Sequence, residues 1–487
     1  MYDSDFLSNA ESSKQASRQL IGQALQIVCD SWPENPYRGK TPAALAELVG
    51  SDFLPPVGHP EHVVDLWRTI VGNSIAVTHP NTVAHLHCPP LLASVAAEVV
   101  ISALNQSMDS FDQAPIATVV EQKLLRWLCA EVGFRASADG TFTTGGSQSN
   151  YMGLLLARDA FMREKWNWSA QKAGLAPHAR RLRILCSEAA HFTVEKSASQ
   201  LGLGTDAVMR VAVDDHFRMK PSALKNALET LGSEDLLPMA IVATAGTTDF
   251  GSIDPTGEIA AIAREAGAWL HVDAAYGGAL LFSPTYRDKL RGIEAADSLS
   301  IDFHKLFWQP VPCSVFLVGD ACHFEAIKLH ADYLNPEVNQ DEGIPDLVTT
   351  SLLTSRRFDA LKVWTSFELL GREKLASMID RTIALAHHAA EVIRRTSQLE
   401  LVCEPQLSTV VFRYIPQPTE ADADHLNAAI RRSLFHQGLA VIGHTRVGSR
   451  QCLKFTCMNP ATTRQQIEEL IAMIVTEGRN SSAANPG

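Results

Sequence analysis

The chain has 487 residues, 46% of them hydrophobic and 20% charged, which excludes the disordered, collagenous and coiled-coil classes. A chain this long buries a large core and, on length alone, splits into more than one domain. Its 42 basic and 54 acidic side chains leave a net charge of −12, so it lacks the bulk electrostatics that bind nucleic acid or anionic membranes, and neither partner is expected.

The opening residues, MYDSDFLSNAESSKQ, are polar and acidic, so no signal peptide is expected there. Apolar spacing over Gln15–Val28 predicts a helix. Prolines from Pro33 to Pro90 then break the chain into short helices and extended connections. The longest apolar stretch, Pro89–Leu104, is too short to span a bilayer and carries Glu98. Beyond it, β-rich runs occur at Leu182–Cys186, Val208–Val213, Ala240–Thr244, Trp269–Asp273, Ser298–Asp302 and Ser314–Val318. Helical segments at Phe192–Leu201, Pro221–Leu231 and Gly257–Ala266 alternate with them. Fully apolar strands alternating with helices predict a mostly parallel α/β sheet covered on both faces, with ligands beyond the carboxyl ends of its strands.

The pattern then changes. A long helical run, Phe358–Thr396, precedes strands at Thr409–Tyr414, Leu439–Ile442 and Cys452–Thr456 and an amphipathic helix at Thr462–Thr476. The expected division is an N-terminal helical and extended segment (1–95), a large domain (96–380), a small C-terminal α+β domain (381–478) and an unstructured tail (479–487). None of the nine cysteines forms a CxxC pair, and several sit in apolar runs, Cys186 among them. Buried free thiols in a reducing cytoplasm are expected, with no disulfide framework and no metal site.

Five polar clusters follow the predicted strands or open helices. Lys305, in Asp302-Phe303-His304-Lys305, reads either as a surface lysine or as a Schiff-base amine. Asp273 closes an apolar strand and small residues follow it, Ala275 among them. It reads either as an N-cap or as an acid facing a cationic ring nitrogen, with room for a flat cofactor. The run Thr143–Asn150 (TTGGSQSN) leads into a helix; it is either an ordinary turn or an anion loop. His191, in SEAAH, is either a capping histidine or one that stacks on a ring and moves protons. Thr244, in ATAGTT, lies in a polar turn at a strand end. Together the clusters supply an anion loop, a stacking histidine, a ring-nitrogen acid and a lysine. The spacing from Asp273 to Lys305 fits one strand–helix–strand step.

These residues carry a resemblance. TTGGSQSN, SEAAHFTVEKSA, ATAGTTDFGSIDP, HVDAAYGGALLFS, SIDFHKLFWQP, HADYLNP and TSRRFDALKVW resemble the group II pyridoxal phosphate (PLP) dependent amino-acid decarboxylases over about residues 60–475. The last two motifs look closest to the branch acting on diamino acids. The resemblance implies the aspartate-aminotransferase-like fold (fold type I), with a seven-stranded, mostly parallel sheet, and PLP as cofactor.

It also implies roles. Lys305 would form a Schiff base with PLP, Asp273 would pair with the ring nitrogen, and His191 would stack on the ring. Thr244 and Ala275 would lie against the ring, while Gly146, Ser147 and Gln148 would hold the phosphate, with Asp302 and His304 nearby. A homodimer with shared sites is implied, its N-terminal segment packing on the partner. Thr354 and Ser355 would reach the other subunit's phosphate, and Tyr333, on a mobile loop, would protonate Cα. One departure stands out: many members carry Asn-Pro-His-Lys where this chain has Asp302-Phe303-His304-Lys305, and a carboxylate beside a phosphate is unfavourable unless it faces away.

The implied reaction converts a basic diamino acid to a diamine and CO₂, serving siderophore or polyamine synthesis. ATAGTTDFGSIDP and Leu407–Pro416 lean toward lysine, giving cadaverine; 2,4-diaminobutyrate, giving 1,3-diaminopropane, is the alternative, with ornithine behind. Asp332, Glu337, Asp341 and Glu342 are candidates for the distal ammonium, and Ala84–Pro89 for the pocket wall. A fold-type-I aminotransferase and a noncatalytic paralogue are the competing classes. Net charge −12 suits a cationic substrate.

Overall fold

The computed structural model describes residues 5–49, 53, 56–336, 338–416 and 423–484. Strand β1 (Thr82–Val83) comes first; the strands that follow it build a seven-stranded sheet. These are β2 (Asp139–Thr143), β3 (Leu182–Ser187), β4 (Val208–Val211), β5 (Leu237–Thr244), β6 (Trp269–Asp273), β7 (Ser298–Asp302) and β8 (Ser314–Val318). Their order is β2-β8-β7-β6-β5-β3-β4. The pairs β7–β6, β6–β5, β5–β3 and β3–β4 are parallel, and β8 runs antiparallel to both of its neighbours. The chain thus has the mostly parallel α/β sheet expected of it. Strands β6, β7 and β8 begin and end where the apolar runs do.

Strand β2 is missing from the sequence-based set. DGTFT has a single large apolar residue, Phe142, and lies at the sheet edge, paired only with β8, so it carries no apolar run to mark it.

The helix Gly146–Trp166 packs on the sheet. Its Met152, Leu154, Leu156 and Met162 are buried with Ile184, Cys186, Ala240 and Val242 of β3 and β5 and Phe316 of β8. Burying each large side chain contributes about 1.5–3 kcal/mol. Gly153 allows the close approach, since a Cβ there would lie 2.4 Å from the His271 ring.

The chain divides into two compact units. One contains residues 86–387 and 403–410, and with them the seven-stranded sheet. The other contains residues 1–85, 388–402 and 411–487. These limits differ from those expected at 95 and 380. Strand β1 pairs in parallel with Val441–Val447, which ties the N-terminal segment to the C-terminal sheet. That sheet has five strands, with helices Ala423–His436 and Arg464–Ala484. The last helix continues to Ala484, into the 479–487 segment expected to be unstructured; Gly478 lies so close to the Tyr414 ring that a Cβ there would be 2.4 Å away. Residues 485–487 lie outside the described residues.

The long helix Ala360–Arg395 is interrupted at Gly371, with φ 68° and ψ 168°. No described helix is long and apolar enough to cross a membrane. None of the nine cysteines forms a disulfide among the described residues, and six of them are buried: Cys88, Cys129, Cys186, Cys313, Cys452 and Cys457.

Candidate functional site

Strands β3, β5, β6 and β7 all end on one side of the sheet, and each is followed by one of the polar clusters. They surround a cavity of about 320 Å³. It is lined by Gly146, Ser147 and Gln148 from the start of the Gly146–Trp166 helix, and by His191 and Thr244 after β3 and in β5. Asp273 at the end of β6 and Ala275 just beyond it line the cavity, as do Asp302 at the end of β7 and His304 and Lys305 beyond that. The open carboxyl edge of a parallel sheet is what brings them together.

Lys305 is mostly buried, with 18% of its side chain exposed, and its Nζ lies 2.8 Å from Asp302 Oδ2. Asp302 Oδ1 accepts from Ser314 Oγ at 2.6 Å. The Asp302 carboxylate therefore does not face away. It also lies against the glycine loop, where a Cβ on Gly146 would meet its oxygens at 3.2 and 3.3 Å. His304 Nδ1 donates to the Cys313 carbonyl at 2.9 Å, and the Cys88 thiol donates to the His304 carbonyl at 3.3 Å. The latter contact sets the end of the expected pocket wall beside the lysine-bearing segment.

Asp273 is buried and held on three sides. It accepts from Asn150 Nδ2 at 2.7 Å, from the Ala275 N–H at 3.1 Å and from Ser300 Oγ at 3.2 Å. Burial by itself raises a carboxyl pKa; the Lys305 ammonium and the Asn150 amide outweigh it here and hold Asp273 below its ordinary value, ionised. Burial lowers the His191 imidazole, and Lys305 lowers it further, against the opposing carboxylates of Asp273, Asp302 and Asp249. His271, fully buried behind Asp273, is pushed down to about 4 by burial.

Gln148 Nε2 and Thr244 Oγ1 are buried without a hydrogen-bond partner, and both residues line the cavity. An unpaired buried polar group costs about 1–3 kcal/mol unless a ligand or water pairs with it. The site thus offers an amine, an ionised acid, a weakly basic imidazole and a helix N-terminus, with two polar groups unpaired among the described residues.

Three expected residues are absent from this cavity. Tyr333 and Thr354 line a different cavity of about 590 Å³ with Arg158, His330 and Asn335, and Tyr333 is 88% exposed. Ser355 lines neither. Asp332, Asp341 and Glu342 are exposed, and Glu337 lies outside the described residues. Conversely, Asn150, Thr193 and His271 hold the site together without having been singled out. The one available signal was Asn150, a turn into the helix that begins at Gly146 and so on the same face.

Comparison with known proteins bears on the chemistry. Residues 59–415 match the family model described as the pyridoxal-dependent decarboxylase conserved domain. Two relatives named L-2,4-diaminobutyrate decarboxylase, from Acinetobacter baumannii and Rhizobium meliloti (strain 1021), are each 40% identical to the chain. The alignments cover 94% of this chain and 92% of the first, and 95% and 92% for the second. A crystal structure from Vibrio parahaemolyticus is 40% identical with a TM-score of 0.91, covering 98% of this chain and 99% of that one. It is described as the glutamate decarboxylase domain of diaminobutyrate-pyruvate transaminase and L-2,4-diaminobutyrate decarboxylase.

Proposed function

The chain belongs to the pyridoxal-dependent decarboxylase family, and on that premise we propose that it converts L-2,4-diaminobutyrate to 1,3-diaminopropane and CO₂. It is a PLP-dependent carboxy-lyase acting on an amino acid. The observation that carries the substrate is the 40% identity, over nearly the whole length, to relatives of that name. The lean toward lysine finds no support among them. Its motifs shape backbone: Asp254 of ATAGTTDFGSIDP accepts from the Met219 and Thr244 N–H groups at 2.7 and 2.8 Å, and Thr409–Tyr414 is a strand. Such residues report the fold and say little about the length of a side chain in the pocket.

The cavity fits PLP. The unpaired Gln148 and Thr244 groups, the close-packed Gly146 and the ionised Asp273 match a phosphate, a ring edge and a cationic ring nitrogen. Bound PLP supplies an electron sink for the pair left when the Cα–carboxylate bond breaks.

The chain's own residues do the rest in our reading. Lys305 offers the amine that holds the cofactor, and Asp302 anchors that amine in place. Asp273 would keep a proton on the ring nitrogen through its negative charge, and His191 and Ala275 would lie against the ring. The N–H groups of Gly146 and Ser147 and the Gln148 side-chain amide would receive the phosphate, with His304 lining the same cavity. Tyr333, from a second subunit, would return the proton to Cα.

We read the enzyme as a homodimer with shared sites, because Tyr333 and Thr354 lie outside the Lys305 cavity and a second subunit would supply them, with Ser355. Leu92, 87% exposed, and Ile116, Trp364 and Leu369 offer apolar surface for such an interface.

Two measurements test this. In a CO₂-release panel, kcat/KM for L-2,4-diaminobutyrate should exceed that for ornithine and lysine by at least about tenfold, since each extra methylene must be accommodated. Preference for lysine or ornithine would overturn the substrate. In the second, Lys305→Ala and Tyr333→Phe proteins are each expected to make little diamine. Subunit exchange between them should restore about a quarter of wild-type diamine formation, because half the dimers become mixed and each carries one intact site. No recovery would show that Tyr333 does not act across subunits.

A further inference from the structure

The hydrogen bonds behind the cavity determine proton positions. Asp273 is ionised and can only accept, so the Asn150 atom 2.7 Å from its Oδ2 is the amide nitrogen. The second Nδ2 hydrogen goes to Thr193 Oγ1 at 3.0 Å. Asn150 Oδ1 can then only accept, and it lies 3.0 Å from both His271 Nε2 and Ser300 Oγ. His271 Nε2 therefore carries its proton. Its Nδ1 lies 2.8 Å from Ser298 Oγ, which accepts from the Trp269 indole N–H at 2.8 Å and so has its own hydrogen free for Nδ1.

The same logic reaches the cavity on the other side. Thr193 Oγ1 accepts from Asn150 and lies 2.9 Å from His191 Nδ1. The Thr193 backbone N–H also points at that nitrogen, at 3.4 Å. Two donors converge on Nδ1, which leaves the ring proton on Nε2.

We propose that Asn150 and Thr193 are positioning residues that lock His191 as the neutral Nε2–H imidazole and tie it to Asp273, so that His191 meets the substrate as a hydrogen-bond donor and not as a base. The acceptor it suits is an anionic oxygen, which an α-amino acid carries in its carboxylate. This rests on the reading of the site as a PLP decarboxylase and deepens it, leaving the return of the proton to Tyr333. The lowered basicity of His191 agrees with the geometry. The charged groups facing the ring are Asp273 at the end of β6, Asp302 at the end of β7 with Lys305 beyond it, and Asp249 after β5; burial, Lys305 and the two Nδ1 donors oppose a cationic ring, which the three carboxylates favour.

Neutron diffraction from the PLP-loaded, deuterium-exchanged enzyme should find deuterium on His191 Nε2 and none on Nδ1. Deuterium on Nδ1 would overturn the proposal. In solution, Thr193→Val removes one donor while keeping the branched shape. With L-2,4-diaminobutyrate over about pH 5 to 8, it should move the acid limb of kcat/KM up by about one unit and lower kcat about tenfold. Thr193→Ser should restore both, and Asn150→Ala should move the limb the same way. A hydroxyl with only a structural role would lower stability and leave the limb in place, and that outcome would also overturn the proposal. If the wild-type enzyme ignores diaminobutyrate, the substrate reading fails while the neutron result still decides the tautomer.

Discussion

Lys305→Ala should cut amine formation by roughly 10⁴-fold or more, the scale on which loss of a covalent-catalysis residue is felt. Borohydride treatment of the PLP-loaded wild type should fix a pyridoxyl group to Lys305, located by peptide mass spectrometry, and the variant should take up none. Lys362 and Lys454 are both more buried than Lys305; Lys454 lies in the five-stranded sheet and does not line the cavity, and the surroundings of the other two separate them. Lys362 is fully buried and saturated: Glu98 at 3.1 Å, Asp359 at 2.9 Å and the carbonyls of Pro310 and Pro312 at 3.2 and 2.8 Å enclose its ammonium. It is a structural cation: removing it would take away the ammonium paired with Asp359, while Glu98 would keep Arg357. Lys305 pairs with Asp302 at 2.8 Å, acts on Asp273 through its charge, and has an open cavity beside it. A label on any other lysine, or normal turnover by the variant, would refute the assignment.

Asp273→Asn should lower kcat by about 10²–10³-fold and loosen the cofactor, so that dialysis strips PLP from the variant while the wild type retains it. The magnitude is that of breaking a buried charge pair, about 3–5 kcal/mol. The change keeps the shape and removes the charge. It also places an amide against Asn150 Nδ2, which at 2.7 Å needs an acceptor, so the side chain must present its oxygen there. The remaining nitrogen then faces the Ala275 N–H and the Ser300 hydroxyl, where Asp273 Oδ1 now accepts. Wild-type PLP retention together with wild-type kcat would remove Asp273 from the ring-nitrogen role.

Much of this site was legible before any coordinates. Gly146, Ser147, Gln148, His191, Thr244, Asp273, Ala275, Asp302, His304 and Lys305 line one cavity because nearly all follow apolar runs that become strands of one sheet. Each motif is local, and the parallel topology carries every strand end to the same edge. Asn150, Thr193 and His271 were not legible in that way. Their meaning lies in hydrogen bonds from Asn150 to partners 43, 121 and 123 residues away. No local pattern marks an asparagine whose amide must satisfy an aspartate, a threonine and a histidine together. Asp302 needed coordinates too. Its departure from the usual motif was visible, but only the structure turns its carboxylate toward Lys305.

The sequence by itself determined the class of fold, the edge of the sheet where the polar clusters gather and the residue types brought there. It could do so because strand and helix periodicity is written along the chain at short range, and the rule for parallel sheets converts it into a location. Its lean on substrate pointed to lysine, because the motifs behind it shape backbone at Thr244 and Asp254 and not the end of a pocket. Only the tertiary structure decided which groups surround the Asn150 amide and the His191 ring nitrogen Nδ1. It also decided that Tyr333 and Thr354 line a different cavity from Lys305. The physical reason is directionality: a hydrogen bond or an ion pair is set by the relative placement of two atoms, and residues distant in sequence acquire that placement only when the sheet has formed.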